Sequence, residues 1–97
     1  MFVGYGALAL HLPHARDLKA KRRVVRGLID RMHARHRVSV AETGFQDLHQ
    51  RCEIGVAVVA AEEQEVDRIL DLVRELAEQE LEVVVLDWQP TVLAESK

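Results

Sequence analysis

One cysteine, Cys52, among 97 residues excludes an internal disulfide and suits a reducing, cytoplasmic setting. Aromatic residues are only 4% of the chain, and the segment Glu53-Ile54-Gly55-Val56-Ala57-Val58 has none, so a sheet that stacks bases on central-strand aromatics is not expected. Two prolines and five glycines leave no linker and no low-complexity tract. No run approaches the roughly 20 apolar residues of a membrane span. The apolar stretch Phe2 to Leu12 lacks the positive flank and small-residue cleavage site of a signal peptide. Gly4-Tyr5-Gly6 lies inside a strand pattern with no helix following at the spacing a phosphate-binding loop requires. Asn is absent and Arg outnumbers Lys ten to three, a bias compatible with a hot or GC-rich source.

What is present is an ordinary globular composition, 48% hydrophobic and 30% charged, of a length that fits one domain over residues 1–97 with one core. The net charge of -3 hides a strong asymmetry. From Arg16 to Arg37, nine Lys and Arg face two Asp, net +7, whereas from Glu62 to Asp87 ten Asp and Glu face two Arg, net -8. A basic block inside an acidic chain fits either a polyanion-binding surface or a mutual attraction between the two segments or between copies.

The pattern predicts strand, helix, strand, strand, helix, strand. Val3 to Leu12 alternates, with Leu8, Leu10 and Leu12 on one face and Tyr5, Ala7, Ala9 and His11 on the other, and Pro13 ends it. Asp17 is the expected N-cap of a helix running to about Arg37, with Leu18, Val25, Leu28, Ile29 and Met32 at helical spacing. Val38 to Thr43 is β-branched, Gly44 to Gln50 reads as a loop, and Cys52, Ile54, Val56 and Val58 mark the third strand. Glu62 to Gln79 is a second amphipathic helix with its stripe on Val66, Ile69, Leu70, Val73, Leu76 and Ala77. Leu81 to Trp88 is the last strand, and Pro90 disfavours its continuation.

Two strand–helix–strand halves imply an α+β, ferredoxin-like split βαβ arrangement. Its four-stranded antiparallel sheet has both helices on one face, with the first and third strands in the middle. The other face is then partly apolar. Tyr5, Phe45 and Trp88 are the candidate partner-binding residues, and self-association across this face or an edge strand is expected.

The sharpest anomaly is at the start of the first helix, where Lys19, Lys21 and Arg22 sit at the positive end of the helix dipole. Winding at about 100° per residue gathers Lys19, Arg22, Arg23, Arg26, His33 and Arg37 into one exposed sector. Arg16, Lys19, Lys21, Arg22, Arg23, Arg26 and Arg37 are the candidate nucleic-acid contacts, with RNA phosphates as the ligand. A solvated face, or one paired with the acidic second helix, explains the same pattern.

The segment Leu12-Pro13-His14-Ala15-Arg16-Asp17-Leu18-Lys19-Ala20-Lys21-Arg22-Arg23-Val24 resembles the opening signature of the YlxP-like bacterial family, a domain of unknown function. The stretch Val38 to Arg51, with Glu42-Thr43-Gly44-Phe45-Gln46-Asp47, and the closing Asp87-Trp88-Gln89 resemble it too, in the same order. The resemblance implies a ferredoxin-like fold and a gene often placed beside translation and ribosome-maturation factors. It brings no catalytic residues. The family more often has Trp where this chain has His49, which argues against a metal role there.

An enzyme would have to be built in the Glu42 to Arg51 loop, with Glu42 or Asp47 as general base and His49 as partner, but no nucleophile or oxyanion donor accompanies them. Phe45 and Leu48 there read as anchors on a core or partner. His49-x-x-Cys52, His11/His14 and His33/His36 are weak metal patterns, because a structural zinc site wants four ligands and Cys52 reads as a core residue. No cofactor and no metal are expected. The reading is a non-catalytic, homo-oligomeric binding module with ribosomal or other RNA as partner. Next comes a module whose basic helix binds an acidic protein surface, and last a small enzyme using Glu42, Asp47 and His49.

Overall fold

A computed structural model describes residues 1–95. The elements are β1 (Phe2–His11), α1 (Leu18–Arg35), β2 (Ser39–Gly44), β3 (Arg51–Ala60), α2 (Glu63–Glu78), β4 (Val84–Trp88) and β5 (Thr91–Ala94). The sheet is antiparallel, in the order β2-β3-β1-β4, with β5 also pairing to β1. That is the ferredoxin-like order with its last strand broken in two. β4 pairs with Leu8 to His11 and β5 with Phe2 to Tyr5, so both lie along the same side of β1.

The broken strand corrects the expectation of four strands. Pro90 lacks an N–H and interrupts the ladder between Trp88 and Thr91, yet the chain resumes pairing within one residue of it. The corner packs closely on β1, where a Cβ on Gly6 would come within 2.8 Å of the Trp88 ring and 3.2 Å of the Pro90 Cα. At the other end of the expected strand, Leu81 is 94% exposed and lies in a turn, while Val83 is buried.

Alternation in β1 and β3 places Leu8, Leu10, Cys52, Ile54, Val56 and Val58 under the helices. Val24, Val25, Leu28 and Met32 of α1 and Val66, Ile69, Leu70, Val73, Leu76 and Ala77 of α2 close this core from above. Gly4 lets α2 approach, since a Cβ there would collide with Val66 and Leu70. Asp17 caps α1, its Oδ1 accepting from the Ala20 N–H at 2.8 Å, and no acidic residue occupies the first turn. No helix among the described residues is long and apolar enough to cross a membrane.

Candidate nucleic-acid interface

The outer side of α1 carries Lys19, Arg22, Arg23 and Arg26, all exposed, and Arg16 is exposed in the loop before it. Among the described residues no carboxylate lies within ion-pair distance of Arg16, Lys19, Arg22 or Arg26. Arg23 makes a long 3.4 Å contact with Glu82 and stays open to solvent. Arg31, further along, pairs with Glu80. The attraction between basic and acidic segments is therefore real at the far half of α1 and nearly absent at its first half. There the cations surround a groove of about 760 Å³ whose other lining residues include Ala20, Gly27, Asp17 and Asp30.

Two expected contacts do not belong to this surface. α1 ends at Arg35 and His36 caps it, donating its N–H to Met32 O at 3.0 Å, so Arg37 is exposed on the extended link to β2, off the helical ridge. The ridge from Lys19 to His33 is about 21 Å long at 1.5 Å per residue. Lys21, the second correction, is 1% exposed. Its Nζ donates to Phe45 O at 2.6 Å and Leu48 O at 2.7 Å and lies 2.9 Å from Glu42 Oε2. Two ammonium protons are spent on carbonyls and the charge faces Glu42, so this buried lysine is not available to a phosphate. The sequence held the signal, because Lys21 precedes Val25, Leu28 and Met32 by four, seven and eleven residues and so falls on their stripe.

Lys21 organises the loop after β2. Phe45 has φ 58, left-handed backbone that bulky residues rarely adopt, and its carbonyl is held by the lysine. Leu48 N–H donates to Phe45 O at 3.0 Å, Gln50 O receives Leu12 N–H at 2.9 Å, and His11 Nδ1 stands 3.1 Å from the same carbonyl. The loop is thus pinned at both ends while Phe45 and Leu48 stay exposed. The Arg51 guanidinium lies 4.7 Å from the Phe45 ring centroid, and its buried Nε has no hydrogen-bond partner. Glu42 Oε2 accepts no well-directed hydrogen bond despite its ion pair.

Behind Lys21 and Glu42 sits Cys52, fully buried. Burial first, and the neighbouring Glu42 carboxylate next, push its thiol from an ordinary 9.0 up to about 12. It is a core thiol. Glu42, Asp47 and His49 are not assembled into a site, since Glu42 turns inward to Lys21 while Asp47 and His49 are exposed and no hydrogen bond or ion pair joins them. No group of three or more His, Cys, Asp or Glu among the described residues could hold a metal ion.

The open sheet face forms a shallow trough of about 780 Å³. Its floor is small, with Ala7, Ala9, Ala41, Gly55 and Ala57, and its rim carries Tyr5, Phe45, Arg51, Glu53 and Asp87. Tyr5 and Phe45 therefore lie where the expected partner surface was placed. Trp88 does not. A bulge between Ala9 and Leu10 shifts the register, so that Trp88 is opposite Leu8 and packs over Gly6 on the helix side.

A family model described as "Protein of unknown function (DUF503)" matches residues 3–90. The "Uncharacterized protein YlxP" of Bacillus subtilis (strain 168) is 29% identical over 90 residues, covering 89% of this chain and 98% of that protein. Among solved structures, a de novo designed protein with ferredoxin fold, determined by NMR in solution, superposes with a TM-score of 0.49 at 18% identity, covering 100% of this chain and 88% of that one.

Proposed function

The chain belongs to the DUF503 family of proteins of unknown function, so its role has to be argued from its own surface, and we propose that it is a non-catalytic module binding RNA phosphates through α1. The observation that carries this reading is the set of Lys19, Arg22 and Arg26 around the groove at the first half of α1, with Arg16 in the loop before it, all exposed and without carboxylate partners among the described residues. Cations at a helix N-terminus oppose the dipole by a few tenths of a kcal/mol each. An arriving polyanion removes that cost and engages the charges together. Phosphate contacts of this type position a strand without reading its sequence.

Binding of a single-stranded RNA oligonucleotide, followed by fluorescence anisotropy over a range of salt, tests it. Four neutralised phosphates give a slope of log affinity on log salt of about -2.8, and removing one cation flattens it by roughly 0.7. An Arg22→Ala/Arg26→Ala variant with the parent's slope, or no binding at low salt, overturns the reading. Capture of an acidic protein in place of RNA would then identify the other class of partner.

A further inference from the structure

We infer that the Phe45 end of the open sheet face stacks an unpaired nucleobase of the same strand whose phosphates lie on α1. The inference rests on the RNA reading of α1 and gives that strand its chemistry: single-stranded, with a base turned out. Three features of the Phe45 corner point to it. The ring is 44% exposed although its backbone is held in the left-handed region, a conformation that persists only where surrounding contacts enforce it and that is typical of ligand clamps. Here the enforcing contact is Lys21, whose buried ammonium holds the carbonyls of Phe45 and Leu48. The Arg51 guanidinium backs the ring at 4.7 Å, which makes the pair a flat cationic platform of the sort on which bases stack.

The charge of the trough decides what enters it. Beside Arg51 stand Glu53 and Asp87, so a phosphate would meet two carboxylates for one guanidinium. A neutral planar group meets no such penalty. At the floor, Ala7 and Ala9 present only methyl groups to an entering ring, while the Thr43 side chain fills the space over Gly55.

The two surfaces are physically joined. Lys21 belongs to the same helical turn as Arg22, and a single lysine side chain spans from α1 to the Phe45 carbonyl. Between them a cleft of about 210 Å³ lined by Arg22, Val25, Arg26, Ile29 and Glu42 runs between α1 and the β2 edge. A strand with phosphates on Arg22 and Arg26 therefore has a short path round that edge to the platform. A duplex has no free base to place there.

The experiment compares binding of a short oligoadenylate and of an RNA duplex of equal length by the intact chain and by Phe45→Ala, each across a salt series. Loss of stacking lowers oligoadenylate affinity about tenfold or more, with the salt slope and the duplex affinity unchanged. A Phe45→Trp variant retains affinity, and its added indole fluorescence is quenched by oligoadenylate but not by duplex. The inference is overturned if Phe45→Ala binds oligoadenylate like the parent, if it loses single strand and duplex equally, or if the Phe45→Trp signal ignores RNA. Should those results coincide with a flattened slope in Arg22→Ala/Arg26→Ala, the α1 reading stands without the platform. If the intact chain binds no RNA, both fall.

Discussion

Lys21 shows how one side chain can look like surface chemistry in the sequence and be architecture in the fold. Its ammonium, 1% exposed, ties α1 to the loop that carries Phe45 and offsets the charge of Glu42. Replacing it by Met keeps the aliphatic stem but leaves a half-buried carboxylate without its cation and the Leu48 carbonyl without its donor. Breaking a buried pair in this way costs about 3 kcal/mol or more, which urea unfolding of Lys21→Met would read directly. Loss of less than about 1 kcal/mol would show that the loop is held by other contacts. Cys52, next to this pair, makes a pH prediction. Its folded pKa of about 12 exceeds the ordinary 9.0, so above pH 9 the unfolded chain releases a proton that the native state retains. Stability is fully present below pH 9 and falls between pH 9 and 12, by up to about 1.4 kcal/mol per pH unit. Alkylation of Cys52 at neutral pH should accordingly be slow until the chain is unfolded, and rapid labelling of the native protein would contradict its burial.

At the scale of elements, two glycines predict opposite outcomes for the same substitution. Gly27 sits inside α1 with nothing within 4 Å of an added Cβ, so Gly27→Ala should stabilise by about 1 kcal/mol through helix propensity alone and raise Tm by roughly 4–8 °C. Gly6 lies under the Trp88 ring and the Pro90 backbone, and Gly6→Ala should cost about 1–3 kcal/mol because the proline backbone cannot move aside. Thermal melts of the two variants should shift in opposite directions. Both helices and the β1–β3 and β2–β3 pairings were legible in the sequence, because the apolar positions of each element repeat with its own period against one core. The final strand was not. Its two pieces are tied to opposite halves of β1 across Pro90, and the bulge that turns Trp88 toward the helices depends on pairing between distant segments, which no local pattern records. Phe45 was legible as a partner contact, but its support by Lys21 and Arg51 was not, for a related reason. Its aromatic comes from a loop and its position from Lys21, so an inspection of strand residues for stacking aromatics passes over it.

Over the whole molecule the two faces separate two kinds of chemistry, and salt should distinguish them. The helix side bears the cations of α1, while the strand register sets Val3, Val59 and Leu93 in one row across the open face with Tyr5 in the next. Val59 and Leu93 are more than half exposed, and this row lies at the end of the sheet away from Phe45 and Arg51. It is the apolar surface through which copies are expected to associate, in place of Trp88. Because the contact is apolar, it should persist at high salt, where RNA binding is lost. Sedimentation at tens of micromolar should show a species heavier than the 11.0 kDa chain at both low and high salt. Val59→Glu/Leu93→Glu should return it to the monomer without unfolding it, since both side chains are outside the core. Trp88→Ala behaves differently, removing a ring that packs on Gly6 and so lowering stability without releasing monomers. A chain that sediments at 11.0 kDa throughout would assign the row no role in assembly, and one that dissociates on adding salt would place the contact on the charges of α1 instead.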